Sequence, residues 1–173
     1  MKHKVLLLYA WLIQTFLFFM PDYPLFMRLR GFLYGLGMKR CGRNFQVAHS
    51  AIINTLEGLS VGDNVYIANY SVILSKGVDI GDNVLIGPSC VLSSSNHILH
   101  HGSFRNKSEE GLGIKICEGS WIAANCTLLS GAELPPKSIL AANSVLTSKL
   151  KSNKPQSIYG GIPAKFIKEI ESD

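Results

Sequence analysis

From Ile116 the chain places a large aliphatic residue at every sixth position: Ile116, Ile122, Leu128, Leu134, Leu140 and Leu146. The fourth residue after each of the first five is small: Ser120, Cys126, Ala132, Ser138 and Ser144. The same step runs through Val61, Ile67 and Ile73, and again through Ile80, Ile86 and Leu92. "VGDNV" at 61–65 returns as "IGDNV" at 80–84. Val47 and Ile53 form an earlier, weaker pair. A period of six fits neither an amphipathic helix nor an alternating strand. It fits a solenoid with short strands as sides and turns as corners, three sixes closing one triangular coil. The aliphatic residue points inward, the small residue fits beside it, and Gly or Asn takes the corner conformations. The expected fold class is all-β: a parallel β-helix of about five triangular coils stacked at the strand spacing of about 4.8 Å. An open end of such a stack is an unpaired edge that needs a cover.

Covers are available at both ends. "KVLLLYAWLIQTFLFFM" reads as an apolar helix from Val5 to Met20, stopped by Pro21 and Pro24. It falls short of the roughly 20 residues that span a bilayer. Lys2 and Lys4 precede it as in a signal peptide, but no small-x-small cleavage site follows, so it is expected to stay in the mature protein. "PLFMRLRGFLYGLGMKR" then mixes apolar residues with Arg28, Arg30, Lys39 and Arg40. Residues 1–43 hold seven Lys/Arg against the single acid Asp22, whereas residues 44–173 hold ten against eleven acids. The basic character therefore belongs to the arm. It points to an anionic membrane interface, with packing on the body or on a neighbouring subunit as the alternative. No motif for reading nucleic acid accompanies it. The expected organisation is a helical arm at 1–42, the β-helix at 43–153 with a loop at 97–113, and a cap at 154–173 carrying a short C-terminal helix.

The sixes break after Leu92 and resume at Ile116. Between them lies "SSSNHILHHGSFRNKSEEGLGIK", with three of the five histidines, His97, His100 and His101. Long interruptions in compact domains are commonly functional. His97 stands where the last regular side gives way to the loop; His100 and His101 lie further out. One imidazole can serve as a base at neutral pH. Three on one loop could also hold a metal, but His49 and His3, the remaining two, are far upstream. Cys41, Cys90, Cys117 and Cys126 form no CxxC pair and read as small apolar fillers in a reducing compartment.

With "YIANYSVIL", "IGDNVLIGPSCVLSSSNH", "GSWIAANCTLLSGAELPPKSILAANSVLT" and "GGIPAKFIKEI" in view, the chain resembles the hexapeptide-repeat acyltransferases over about residues 60–170. Within them it is similar to the maltose, galactoside and nodulation-type sugar O-acetyltransferases. The arm is closer to those of enzymes that acetylate bacterial surface polysaccharides.

The resemblance implies a left-handed β-helix and an acetyl-CoA-dependent transfer to a sugar hydroxyl. It sets the catalytic base on His97, with acceptor contacts at Asn69 and Trp121, whose ring should face outward beside the inward Ile122. It assigns coenzyme contacts to Ala124, Ala142, Thr147, Ser148, Lys165 and Lys168. It implies a homotrimer with sites between subunits. No metal is expected, since the three histidines share one loop, and the acceptor is expected to be a surface glycan or its lipid-linked precursor, approached at the cytoplasmic membrane face on the strength of the arm alone. Two rivals stay open: transfer to an amino sugar or antibiotic, and a non-enzymatic or zinc-binding β-helix. The hexapeptide carbonic anhydrases set their zinc ligands on neighbouring coils, unlike the single loop here.

Overall fold

A computed structural model describes residues 2–74, 77–109 and 111–171. Two helices, α1 (Lys2–Leu17) and α2 (Pro24–Gly35), precede a left-handed parallel β-helix. The first face stacks Arg40–Cys41, Leu59–Val61, Val78–Ile80, Ile114–Ile116 and Glu133–Leu134. The second stacks Gln46–Val47, Tyr66–Ile67, Leu85–Ile86, Trp121–Ile122 and Ile139–Leu140, then Ser157–Gly161. The third stacks Ile52–Ile53, Val72–Ile73, Val91–Ser93, Thr127–Leu129 and Val145–Leu146. This makes five full turns and part of a sixth, against the expected five. The first strand, Arg40–Cys41, falls within the range expected for the arm.

The hexad positions explain the register. Val61, Ile67, Ile73, Ile80, Ile86, Leu92, Ile122, Leu128, Leu134, Leu140 and Leu146 are all fully buried along the axis. Val47 and Ile53, the weaker early pair, are buried with them. Each large side chain buried from water stabilises by about 1.5–3 kcal/mol. The small residues beside them are buried as well and link successive turns. Ser120 Oγ donates to the Pro135 carbonyl at 2.9 Å, and the Ser138 amide donates to Ser120 Oγ at 3.3 Å. Three cysteines, Cys90, Cys117 and Cys126, are buried in the same stack and none of the four is bridged.

Corners carry left-handed backbone. Where the first face meets the second, Asn44, Asn64 and Asn83 have φ of 56°, 57° and 56°. Asn44 Nδ2 donates to Asn64 Oδ1 at 3.0 Å, and Asn64 Nδ2 to Asn83 Oδ1 at 3.1 Å, a ladder up the corner. Asparagine tolerates this conformation better than most residues.

Two elements depart from the expected outline. α1 ends at Leu17, not Met20, because the buried Arg30 guanidinium takes the carbonyls of Leu17, Met20 and Pro21. The short C-terminal helix expected in the cap is a strand. Ala164–Glu169 folds back antiparallel on Ser157–Gly161, which itself extends the second face from Ile139–Leu140. An open sheet edge supplies unpaired backbone groups that a helix at this place would leave unmet. Tyr159 and Phe166 meet edge to face at 6.1 Å, and Lys154 pairs with Glu169 at 2.7 Å across the hairpin.

Candidate active site

The corner between the second and third faces forms one column. The Ser89 amide donates to the Asn69 carbonyl at 2.9 Å, Asn125 to Pro88 at 3.0 Å, and Asn143 to Ala124 at 3.0 Å. Asn69, Pro88, Ala124 and Ala142 thus occupy one position in four successive turns. Alanine at two of them keeps the edge low, so an extended chain can lie along it. The hairpin continues the column: the Gly161 amide donates to Ser144 Oγ at 3.0 Å. Lys165 stands opposite Gly160 and Lys168 opposite Ile158, so both predicted lysines lie at this end, exposed.

A polar knot closes the other end. His49 follows Val47 by two residues as Asn69 follows Ile67, and Val47 pairs with Ile67, so the two occupy equivalent positions one turn apart. Asp22, between the helices, binds both. Its Oδ2 accepts from Asn69 Nδ2 at 2.8 Å and meets His49 Nδ1 at 2.8 Å, and its Oδ1 accepts from the His49 amide at 2.7 Å. Arg30 Nη1 donates to the same Oδ1 at 3.0 Å and to the Val47 carbonyl at 3.2 Å. Arg30 is only 2% exposed, so it braces the knot from inside. Burial pushes the Asp22 carboxyl up, but the hydrogen bonds from Asn69 and His49 outweigh it and hold the group below the usual carboxylate range.

The corner between the third face and the next turn's first face carries the insertion. Asn96–His97 pairs antiparallel with Ser108–Glu109, His97 opposite Ser108. The predicted loop is therefore a hairpin with His97 on its stem; Glu110 of that segment lies outside the described residues. His97 Nδ1 sits 3.0 Å from the Phe104 carbonyl. A carbonyl only accepts, so Nδ1 carries a proton, and in the neutral tautomer it is Nε2 that offers the lone pair. His100 and His101 stack on each other at 4.1 Å further out, where His100 bridges to Ser103, and do not converge with His97. Among the described residues no group of three His, Cys, Asp or Glu could hold a metal ion. A cleft of about 450 Å³ opens at the foot of the hairpin beside Ser94, Ser95, Ser108 and Glu109. Thr147 and Ser148 follow the strand Val145–Leu146 into this same corner. A Cβ on Gly131 would come within 2.8 Å of the Ser148 Cβ, so the two corner residues stack directly.

The expected residues thus divide between the two edges of the third face. Asn69, Ala124 and Ala142, with Lys165 and Lys168 at the far end, belong to one edge; His97, Thr147 and Ser148 belong to the other. Trp121 opens a second-face strand and is 46% exposed, outward as predicted. It stands three residues before Ala124, at the start of the short strand that leads into that corner.

No family model matches the chain. It is 29% identical over 139 residues to the galactoside O-acetyltransferase of Escherichia coli K12, a match that takes in 80% of this chain and spans 57% of that protein. A hexapeptide-repeat acetyltransferase from Vibrio cholerae, solved with acetyl-coenzyme A, superposes with a TM-score of 0.79 at 22% identity over 98% of this chain and 89% of that one. A maltose O-acetyltransferase from Clostridium difficile superposes at 0.80 and 19% identity, with the same shares of 98% and 89%. The chain has the hexapeptide-repeat acetyltransferase fold. At 98% coverage the superposition takes in the arm as well as the prism.

Asp22, His49 and Arg30 are the site residues that sequence reasoning missed. One signal was present: His49 repeats the Asn69 position one turn earlier. Asp22 offered only that it is the single acid among the first 43 residues.

Proposed function

We propose that this hexapeptide-repeat protein moves an acetyl group from acetyl-coenzyme A to a sugar hydroxyl, with His97 as general base. The observation that carries the reading is the Phe104 carbonyl on His97 Nδ1, which in the neutral ring places the proton on Nδ1 and turns the Nε2 lone pair to an acceptor. Nε2 takes the hydroxyl proton while the oxygen attacks the thioester carbonyl. The C–O bond forms, the C–S bond breaks, and the imidazolium returns its proton to the departing thiolate. No acyl-enzyme is needed. General base catalysis of this kind contributes about 10²–10⁴-fold. A sugar acceptor is supported by the galactoside-acetylating relative, and acetyl-coenzyme A by the Vibrio cholerae structure that holds it. The low column at Ala124 and Ala142 suits the extended pantetheine arm, the lysines Lys165 and Lys168 its phosphates, and Thr147 and Ser148 the neighbouring copy's side of the groove. Asn69 and Trp121 receive the sugar.

The division of these residues between two edges supports an assembly in which the His97 edge of one copy meets the Asn69 edge of the next. Repeated head to tail, that contact closes a ring, and three copies suit a three-sided prism. The acceptor is taken to be a unit of a bacterial surface glycan or its lipid-linked precursor.

The test is release of free coenzyme A thiol from acetyl-coenzyme A across a panel of sugars and amino sugars. The expected product is an ester that mild alkali cleaves, and His97→Ala is expected to lower kcat by about 10²–10⁴. An alkali-stable amide would move the reaction to an amino group, and full turnover in His97→Ala would remove the base from the mechanism.

A further inference from the structure

α1 is apolar on both sides. Ala10 and Ile13 are buried beneath it, and the Tyr9 hydroxyl donates to the Leu33 carbonyl of α2 at 2.7 Å. On the outer side Val5, Leu8, Trp11, Leu12, Phe16 and then Phe19 stand in solvent, Phe19 at 90% exposure. α2 repeats the arrangement. Met27, Gly31 and Tyr34 face the first turn of the prism, while Leu25, Leu29, Phe32 and Leu36 face out. An apolar groove of about 490 Å³ separates α2 from that first turn, with Arg28 and Arg43 among its lining. A helix apolar all round is normally covered on every side, and an exposed apolar patch of this extent is a contact surface.

Charge selects the partner. Among the described residues Lys2, Lys4, Arg28 and Lys39 make no ion pair. The arm's one acid, Asp22, is turned inward onto Arg30, His49 and Asn69. The outer face of α1 therefore presents apolar side chains beside the unpaired cations Lys2 and Lys4. A second copy of the chain brings little counter-charge, since residues 44–173 carry ten Lys/Arg against eleven acids. A bilayer with anionic headgroups supplies both complements. No described helix is long and apolar enough to cross a membrane, so the contact is tangential. The tip of this face touches the acceptor corner. Phe19 packs on Phe18 at 5.5 Å, and Phe18 packs edge-on against His49 at 5.4 Å, within the knot that holds Asn69.

We propose that the outer face of α1 and α2 docks on an anionic bilayer surface and sets the Asp22–His49–Asn69 corner at headgroup level, so that the acceptor is a glycan carried on a membrane lipid. The docking stands alone; the placement of the acceptor rests on the sugar acetyltransferase reading. The full-length protein is spun with phosphatidylcholine vesicles, pure or with about one-third phosphatidylglycerol. Binding is expected to be at least tenfold tighter on the anionic vesicles and to weaken with salt. In a Trp121→Phe background, Trp11 fluorescence is expected to be quenched by brominated lipid. Replacing Trp11, Phe16 and Phe19 together by Ser should cost tenfold or more in vesicle affinity, and Lys2→Ser with Lys4→Ser should shrink the preference for anionic vesicles. Transfer to a vesicle-borne glycolipid is expected to exceed transfer to the free sugar by tenfold in the parent, and to lose that advantage in the triple variant.

Equal affinity for both vesicle types, or unquenched Trp11, overturns the docking. A triple variant that keeps vesicle binding but falls to a smaller assembly by light scattering overturns it too, making the face a contact between copies. Loss of vesicle binding with soluble-sugar transfer intact leaves the acetyltransferase reading standing. Absent transfer with vesicle binding intact removes that reading alone.

Discussion

Asp22 Oδ2 accepts a hydrogen bond from Asn69 Nδ2 at 2.8 Å, joining the turn between the two arm helices to the second coil across 47 positions of sequence. The same carboxylate neutralises Arg30, whose side chain is 3% exposed. One residue thus fixes the arm, the buried cation and the corner between the second and third faces together.

Asp22→Asn keeps the size and removes the charge. Arg30 is left buried without its counter-ion, though it keeps the carbonyls of Leu17, Met20, Pro21 and Val47. Losing a charged partner beside a buried ion is costly, and the retained carbonyls offset part of it. The expected loss is about 1–3 kcal/mol in urea unfolding. A variant as stable as the parent would show that the carbonyls alone satisfy Arg30.

The same carboxylate predicts an acid dependence. Its folded pKa lies below the unfolded value of about 3.9, so the unfolded chain binds the proton more readily. The stabilisation is complete above the unfolded pKa and is lost as pH falls through the lowered folded one. The stability gap between the parent and Asp22→Asn should therefore narrow as pH falls below the unfolded carboxylate value of about 3.9. A gap independent of pH would assign the Asp22 contribution to shape alone.

Separation of His97 and Asn69 onto two edges of the third face makes complementation a direct test of the shared site. His97→Ala and Asn69→Ala are each expected to be nearly inactive. Refolded together, a contact that pairs the intact histidine of one copy with the intact asparagine of the next restores roughly a quarter of sites in a random ring. Activity that stays at the level of the separate variants would place both residues in one subunit's site.

The prism could be read from sequence because each hexad reports its own burial. Ile86 or Leu128 is inward whatever its neighbours do. The C-terminal strand could not, because "AKFIKEI" carries a helix-like spacing and becomes a strand only through the open edge that Ser157–Gly161 presents. His97 was marked by the break in the repeat, but its Phe104 contact needs the hairpin to exist first. Asp22 itself could not be read, since its partners are 8, 27 and 47 residues away, and the one trace of the knot was His49 repeating the Asn69 position.

The asparagine ladder separates backbone strain from hydrogen bonding. Asn83 holds φ at 56° and accepts from Asn64 Nδ2 at 3.1 Å. Asn83→Gly removes the side-chain bond but suits the left-handed backbone; Asn83→Ala removes the same bond and adds the steric cost, about 1–2 kcal/mol. Glycine also loosens the unfolded chain, which works against it by about 0.4–1 kcal/mol. The alanine variant is therefore expected to melt below the glycine variant, and both below the parent. If alanine proved the more stable of the two, unfolded-state entropy would outweigh strain at this corner, and the recurrence of asparagine at 44, 64 and 83 would owe more to the ladder than to the backbone angle.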